Sequence, residues 1–266
     1  MFPLPLARVG TTTAGGRSTT LRPQRPLADV HAERARDRAA AAVSGLGLDS
    51  QAVRLRMVEK LAAGGIDDAA VLGAFAAVAR HRFLDPALVG QAYEDTSLPI
   101  GLGQTISKPS VVARMLALAR GGVNAKARGN LGVVLEIGTG CGYQAALLAE
   151  LSRTVISIER LQPLHEKARA LLGPARSQKI RLVWGDGMRG HPPQAPYDTI
   201  LAAAGGAAIP EAWFEQLAVG GRLIAPVGGS SGGQVLAVVD RDESGWREGR
   251  HEAVRFVPLR SGLSRT

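Results

Sequence analysis

From residue 50 the apolar positions recur at helical spacing. Val53, Leu55, Met57, Val58 and Leu61 follow that spacing approximately, and Gly64-Gly65 ends the pattern. Asp67 or Asp68 then offers an N-cap for a second helix over Ala69 to Arg80, whose Val71, Leu72, Phe75 and Val78 share one apolar face. The stretch Leu98-Pro-Ile-Gly-Leu-Gly-Gln-Thr-Ile-Ser-Lys-Pro109 breaks this grammar. It is not periodic enough for a strand and carries too many breakers for a helix, yet it runs straight into a further helical pattern near Pro109. Residues 50–125 read as a mostly helical front section holding one unusual loop.

After Asn130 strands and helices alternate. Val133 to Ile137 is a short apolar run ending at Gly138-Thr-Gly-Cys-Gly142, and Tyr143 to Leu151 is helical. Strands are expected over Thr154 to Glu159, Ile180 to Trp184, Asp198 to Ala203 and Arg222 to Val227, with helices over Leu161 to Leu172 and from Pro210 through Leu217. This succession implies an α/β fold with a doubly wound, mostly parallel sheet covered by helices on both faces. Gln234 to Val239 and Glu252 to Val257 add two strands as an antiparallel C-terminal edge.

Composition changes the picture mainly at the N-terminus. A 266-residue chain with 45% hydrophobic residues and a mean hydropathy of +0.05 can bury one substantial core. Its apolar runs all fall short of the roughly 18 residues needed to cross a bilayer, and Pro3 and Pro5 interrupt the opening apolar patch, which argues against a secretory signal. Cys141 has no second cysteine to pair with, and the five histidines lack metal-site spacings. A cytoplasmic setting and no metal are expected. The net charge of +9 invites a nucleic-acid partner, but the basic residues are scattered as single arginines rather than gathered into a patch. Arg8, Arg17, Arg22 and Arg25 all precede the first acid, Asp29, in a stretch rich in Thr, Gly and Pro. Residues 1–49 therefore read as a disordered basic leader, with an organellar transit peptide as the alternative. Residues 50–266 read as one domain, with the front section over 50–125 and the sheet with its edge over 126–266. Neither a specific nucleic acid nor a membrane is an expected partner.

The candidate chemistry lies where a doubly wound sheet binds nucleotides, at the carboxyl end of its first strand. Gly138, Thr139, Gly140 and Gly142 form a turn that lets a ligand approach the backbone. Glu159, about 20 residues further at the end of the second strand, is placed to accept ribose hydroxyls. Asp186 and Gly187, after the third strand, fall on the same crevice, although Gly-flanked Asp186 also suits a plain turn. A dinucleotide fingerprint would place its third glycine at residue 143, which is Tyr143. Glu136, two residues before the first glycine, would repel a pyrophosphate. The pattern E-x-G-x-G-x-G resembles instead the first motif of Rossmann-like methyltransferases, whose cofactor, S-adenosyl-L-methionine, is cationic and has no phosphate. Cofactor contacts are expected from Glu136, Gly138, Thr139, Gly140, Gly142, Glu159, Asp186 and Gly187.

Tyr93-Glu-Asp-Thr-Ser-Leu-Pro-Ile-Gly101 followed by Gly103-Gln-Thr-Ile-Ser-Lys-Pro109 resembles the signature of the protein-L-isoaspartate O-methyltransferases. The resemblance extends through Arg80-His-Arg-Phe-Leu84, Glu136 to Ala146, Gly185-Asp-Gly187, Ala202 to Pro210 and Arg255-Phe-Val-Pro-Leu259, covering about Val53 to Leu259. It implies methylation of the α-carboxylate of L-isoaspartyl residues in proteins and peptides, which opens a return to aspartate through a succinimide. Ser107 resembles the family's active-site serine, and Thr105, Ile106, Ala203 and Ala204 are the expected substrate contacts. Local sequence alone favours Ser107 as the cap of the helix near Pro109, and the surrounding signature reverses that preference. Thr96-Ser97 and Cys141 depart from the family pattern without removing a group the chemistry needs. Two alternatives remain: a methyltransferase of this fold acting on another carboxylate or small molecule, and a noncatalytic adaptor that keeps only the binding fold.

Overall fold

The computed structural model describes residues 51–228 and 233–265, so the leader expected over residues 1–49 lies outside the described residues. Helices α1 (Gln51–Ala63) and α2 (Ala69–Ala77) open the described chain. Asp68, not Asp67, caps α2, with Oδ1 accepting from the amides of Ala70 at 2.9 Å and Val71 at 3.1 Å. The helix stops short of Arg80 because Val78 takes an extended conformation, and Arg80–Phe83 form a separate 3-10 turn.

The loop that looked too irregular for a strand is a small antiparallel hairpin, β1 (Leu98–Gly101) and β2 (Gln104–Ile106), with Leu98 opposite Ile106. Its alternation is real but too short to see in the sequence. Leu98, Ile100 and Ile106 face the core while Pro99 and Thr105 face outward. Gly101, Leu102 and Gly103 all adopt positive φ at its tip, which costs a non-glycine residue such as Leu102 about 1–2 kcal/mol. Helices α3 (Pro109–Arg120) and α4 (Val123–Arg128) then lead into the sheet.

The sheet comprises β3 (Val133–Ile137), β4 (Thr154–Glu159), β5 (Ile180–Trp184), β6 (Tyr197–Ala202), β7 (Leu217–Val227), β8 (Gln234–Asp242) and β9 (Gly245–Val254). Its order is β5-β4-β3-β6-β7-β8-β9, parallel from β5 to β7 and antiparallel beyond. The chain starts at β3, moves outward to β5, then returns to the other side of β3 at β6. That reversal leaves a crevice at the carboxyl ends of β3, β4 and β6. Between strands run α5 (Tyr143–Leu151), α6 (Gln162–Ser177) and α7 (Glu211–Gln216). The expected end of α6 at Leu172 coincides with a break at Gly173, where φ is 65°, although helical turns resume after it. The last strand differs most from expectation, pairing over Gly245–Val254 rather than Glu252 to Val257. Nearly all its residues are exposed, so Arg247, Glu248 and Arg250 could occupy a strand without any apolar pattern, as suits a charged sheet edge.

Successive strand residues alternate between two cores. Val134, Val155 and Ile224 join the front helices, the hairpin and α5, whereas Leu135, Ile156 and Leu223 pack with Trp213 and Leu217 on the other face. No helix among the described residues is long and apolar enough to cross a membrane.

Asp68 also joins α2 to α3, because Arg120 Nε donates to its Oδ2 at 2.5 Å. Asp68→Ala is expected to lower the unfolding free energy by about 1–2 kcal/mol, with the lost cap setting the scale. The check is a lower urea midpoint at unchanged slope.

Candidate active site

Between β3 and α5 the chain makes its glycine turn. Gly140 has φ 55°, and its amide donates to Glu159 Oε2 at 2.9 Å, so the second strand's terminal acid is held directly against the turn. Glu159 Oε1 accepts from Leu161 N at 2.9 Å. Burial raises the pKa of this carboxyl above its ordinary value, opposed by the amide hydrogen bonds of Leu161 and Gly140. On the opposite side of the turn sits the hairpin, where a Cβ added to Gly140 would lie 3.1 Å from Ile100 Cδ1. Turn and hairpin enclose a cavity of about 480 Å³, a size that suits a nucleoside-scale ligand.

Gly138, Thr139, Gly140, Glu159 and Gly187 line this cavity together with Thr105, Ile106, Ser107, Ala203 and Ala204. Three expected cofactor contacts, Glu136, Gly142 and Asp186, are not on its wall. Glu136 is fully buried beneath the turn, where its Oε2 accepts from Ser157 Oγ at 2.5 Å. Thr139 Oγ1 lies 2.5 Å from the same Ser157 oxygen, and because Ser157 donates to Glu136, Thr139 donates to Ser157. A hydroxyl chain thus links the wall to the buried acid. Burial pushes the Glu136 carboxyl up to about 8, with Ser157 and Gln144 favouring its charged form. Gly142 is the N-cap of α5, and a Cβ there would press on Leu172. Asp186 lies off the wall, where its Oδ1 accepts from Met188 N at 3.0 Å and its Oδ2 from Gly262 N at 2.7 Å. It caps a 3-10 turn and holds the C-terminal segment.

Ser107 is not the helix cap that local sequence allowed. Lys108 occupies the cap position of α3 without a side-chain hydrogen bond. Asp95 takes over the role, its Oδ1 accepting from Ser110 N and its Oδ2 from Ser110 Oγ, both at 2.8 Å. Ser107 lines the cavity instead.

Sequence reasoning missed several wall residues. Gln144 lines the cavity with neither end of its buried carboxamide in a hydrogen bond of good geometry, and a polar residue in the first turn of the otherwise apolar stretch before Glu150 was a usable signal. Val257 to Arg260 and Ser264 close another wall. Arg160 Nε donates to Gly262 O at 2.9 Å and Gln162 N to Ser264 O at 2.9 Å, so the tail is tied down along the end of β4. Nothing local in the sequence joins these distant segments.

The donor set suits a cationic nucleoside. Glu159 stands on the wall beside the glycine turn, where its carboxylate would repel a pyrophosphate. Glu159 is on hand for ribose hydroxyls, and the Gln144 carboxamide on the wall carries one donor and one acceptor end. Fold and site together define a Rossmann-like, S-adenosylmethionine-dependent methyltransferase. The chain belongs to the protein-L-isoaspartate(D-aspartate) O-methyltransferase family, whose profile matches residues 52–264. It is 58% identical over 263 residues to the protein-L-isoaspartate O-methyltransferase of Methylibium petroleiphilum, covering 98% of this chain and 96% of that one. With the Leptothrix cholodnii enzyme of the same name the identity is 55% over 276 residues, covering 99% and 94%. A solved protein-L-isoaspartate O-methyltransferase superposes with a TM-score of 0.70 at 27% identity, covering 79% of this chain and 67% of that one. A Plasmodium falciparum structure described under the same enzyme name, in complex with S-adenosyl-L-homocysteine, shares the fold with a TM-score of 0.64 at 23% identity, covering 78% and 98%.

Glu136 provides a test of the buried acid. Between its ordinary value of 4.5 and about 8 it is protonated in the fold but ionised in the unfolded chain. The folded state therefore binds more protons, and this group's contribution to stability falls as pH rises through that window. Glu136→Gln is expected to flatten the decline in melting temperature of the ligand-free protein between about pH 5 and pH 8. A pH profile matching the wild type would show that the carboxyl is not held neutral.

Proposed function

We propose that this protein transfers the methyl group of S-adenosyl-L-methionine to the α-carboxylate of L-isoaspartyl residues in damaged proteins and peptides, with Ser107 orienting that carboxylate. The observation that carries this reading is the single cavity shared by the glycine turn with Glu159 and the hairpin with Ser107. The cofactor, when bound, supplies a methyl group already activated on a sulfonium centre. Glu159 accepts hydrogen bonds from its ribose, Gly138, Thr139 and Gly140 form its floor, and the buried Glu136 beneath them anchors Thr139 through Ser157. Gly187 lies on the same wall.

The chain's own part in the reaction is positioning. A carboxylate of ordinary pKa, about 3.5, is already ionised near neutrality, so no general base or covalent nucleophile is needed. The Ser107 hydroxyl donates to one carboxylate oxygen and leaves the other free to meet the methyl group. Thr105 is the second hydroxyl on this wall, and Ile106 fixes the strand by its burial. Ala203 and Ala204, small residues after β6, leave room for a peptide main chain. Methyl esterification gives a better leaving group, so the neighbouring backbone amide closes the succinimide that can open to aspartate. Neither a nucleic acid nor a membrane enters this reading.

Methylation assays with an isoaspartyl peptide and its aspartyl isomer test it. Transfer to the isoaspartyl form alone is expected, because one methylene of displacement ruins the alignment. Equal transfer to both would indicate a general carboxyl methyltransferase, and cofactor binding without transfer would indicate an adaptor.

Ser107→Ala is expected to remove a charge-assisted hydrogen bond worth about 1.5–3 kcal/mol, lowering the methyl-transfer rate about 10- to 150-fold. Affinity for S-adenosyl-L-homocysteine should hardly change. The melting temperature should also hold, since Asp95 rather than Ser107 caps α3. A variant that melts early but turns over normally would contradict the assignment.

A further inference from the structure

Arg80 is completely buried, yet among the described residues its guanidinium makes one hydrogen bond, from Nη2 to the Thr96 carbonyl at 3.2 Å. Nε and Nη1 have no hydrogen-bond partner. The guanidinium carbon stands 5.0 Å from the centroid of the Tyr143 ring, whose own hydroxyl is buried without a partner of good geometry. Phe75 and Phe83 meet that ring edge-on, with centroids at 6.3 and 5.6 Å. Asp95 adds a weaker attraction, its oxygens already engaged by Ser110.

This is a poor device for stability alone. A buried cation with unmet N–H groups is costly, and an apolar side chain of similar length would fill the space without that cost. What the arrangement does is join the two halves of the site from behind. Thr96 lies two residues before β1, which leads to Ser107, and Tyr143 follows the glycine turn directly and lines the cavity. Arg80 itself is not on the wall.

We propose that Arg80 is a positioning residue for methyl transfer: its planar guanidinium, bonded to the Thr96 carbonyl and stacked on Tyr143, sets the spacing between the hairpin bearing Ser107 and the turn that holds the cofactor. The inference rests on the functional reading above. In-line transfer is sensitive to such spacing, since a misplacement of about 1 Å can cost about 100-fold in rate. Lysine keeps the charge but has neither the plane nor the fork, so it cannot both lie flat on the ring and donate to Thr96. Methionine keeps the length without the charge.

The test compares Arg80→Met and Arg80→Lys with the wild type in three readouts: Kd for S-adenosyl-L-homocysteine by calorimetry, kcat and KM for an isoaspartyl peptide at saturating cofactor, and melting temperature. Both variants are expected to lose at least about tenfold in kcat, while the Kd moves less than about threefold. Arg80→Met should melt no earlier than the wild type, because an unpaired buried charge has been removed. A folded Arg80→Met enzyme with kcat within about twofold of the wild type would reduce Arg80 to packing and overturn the proposal. A Kd that weakens in proportion to the loss of kcat would overturn it too, by placing the effect on the cofactor turn alone. Should Arg80→Met fail to fold, Arg80→Lys decides by the same two criteria. A wild-type protein that binds S-adenosyl-L-homocysteine but leaves the peptide unmethylated refutes the functional reading, and Arg80's role with it, before any variant is compared.

Discussion

The contact between Ile100 and the bare backbone of Gly140 is the constraint on which the rest of the site depends. A Cβ at Gly140 would stand 3.1 Å from Ile100 Cδ1, and the residue's φ of 55° already disfavours a side chain. Its amide meanwhile donates to Glu159. The ends of β3 and β4 and the hairpin therefore converge on one residue. Lys167 reinforces the seat by donating from Nζ to the Ile100 carbonyl at 3.2 Å, which adds α6 to the same junction. Because the hairpin rests on the turn, a molecule bound along one is necessarily in reach of a molecule bound along the other.

Two buried ionisable groups flank this junction, a carboxyl held neutral and a guanidinium. Glu136 lies under the turn toward the sheet, and Arg80 lies behind it toward the front helices. They act on consecutive residues of α5, Gln144 beside Glu136 and Tyr143 beneath Arg80. Successive helical positions are about 100° apart, so the first turn of α5 presents one residue to each buried group while both also reach the cavity. Burial of unpaired ionisable groups beside a cavity is how functional sites differ from ordinary cores, where apolar packing would be more stable.

What was legible in the sequence follows from how local each signal is. Strand β4 and helix α5 end where their apolar runs end, because a buried parallel strand and a buried helix carry their environment in composition. The hairpin was hidden: two strands of only a few residues become strands through the burial of Leu98, Ile100 and Ile106 against a core built elsewhere in the chain. Strand β9 was misplaced because an exposed edge needs no apolar pattern. The glycine turn, Glu159 and the Ser107 loop stood out by their residue types and by family resemblance. The work of Asp186 did not, since its partner Gly262 is 76 residues away. Nor could the local choice between cap and substrate ligand for Ser107 be made before Asp95 was seen occupying the cap.

The chemistry explains why the fold spends so much structure on placement. In the proposed reaction the nucleophile is the substrate's own carboxylate and the leaving group belongs to the cofactor, so the protein has no bond of its own to make or break. Discrimination between an isoaspartyl residue and its isomer then reduces to where one carboxylate sits relative to one methyl group. A hairpin on a loose tether would blur that distance. Here Leu98, Ile100 and Ile106 belong to the same apolar cluster as Phe75, Phe83 and Tyr143, a cluster that runs from the front helices into α5. The contacts that hold the front section to the sheet are therefore the contacts that hold Ser107 to the cofactor turn, and a change that loosens this core should blur selectivity before it unfolds the chain.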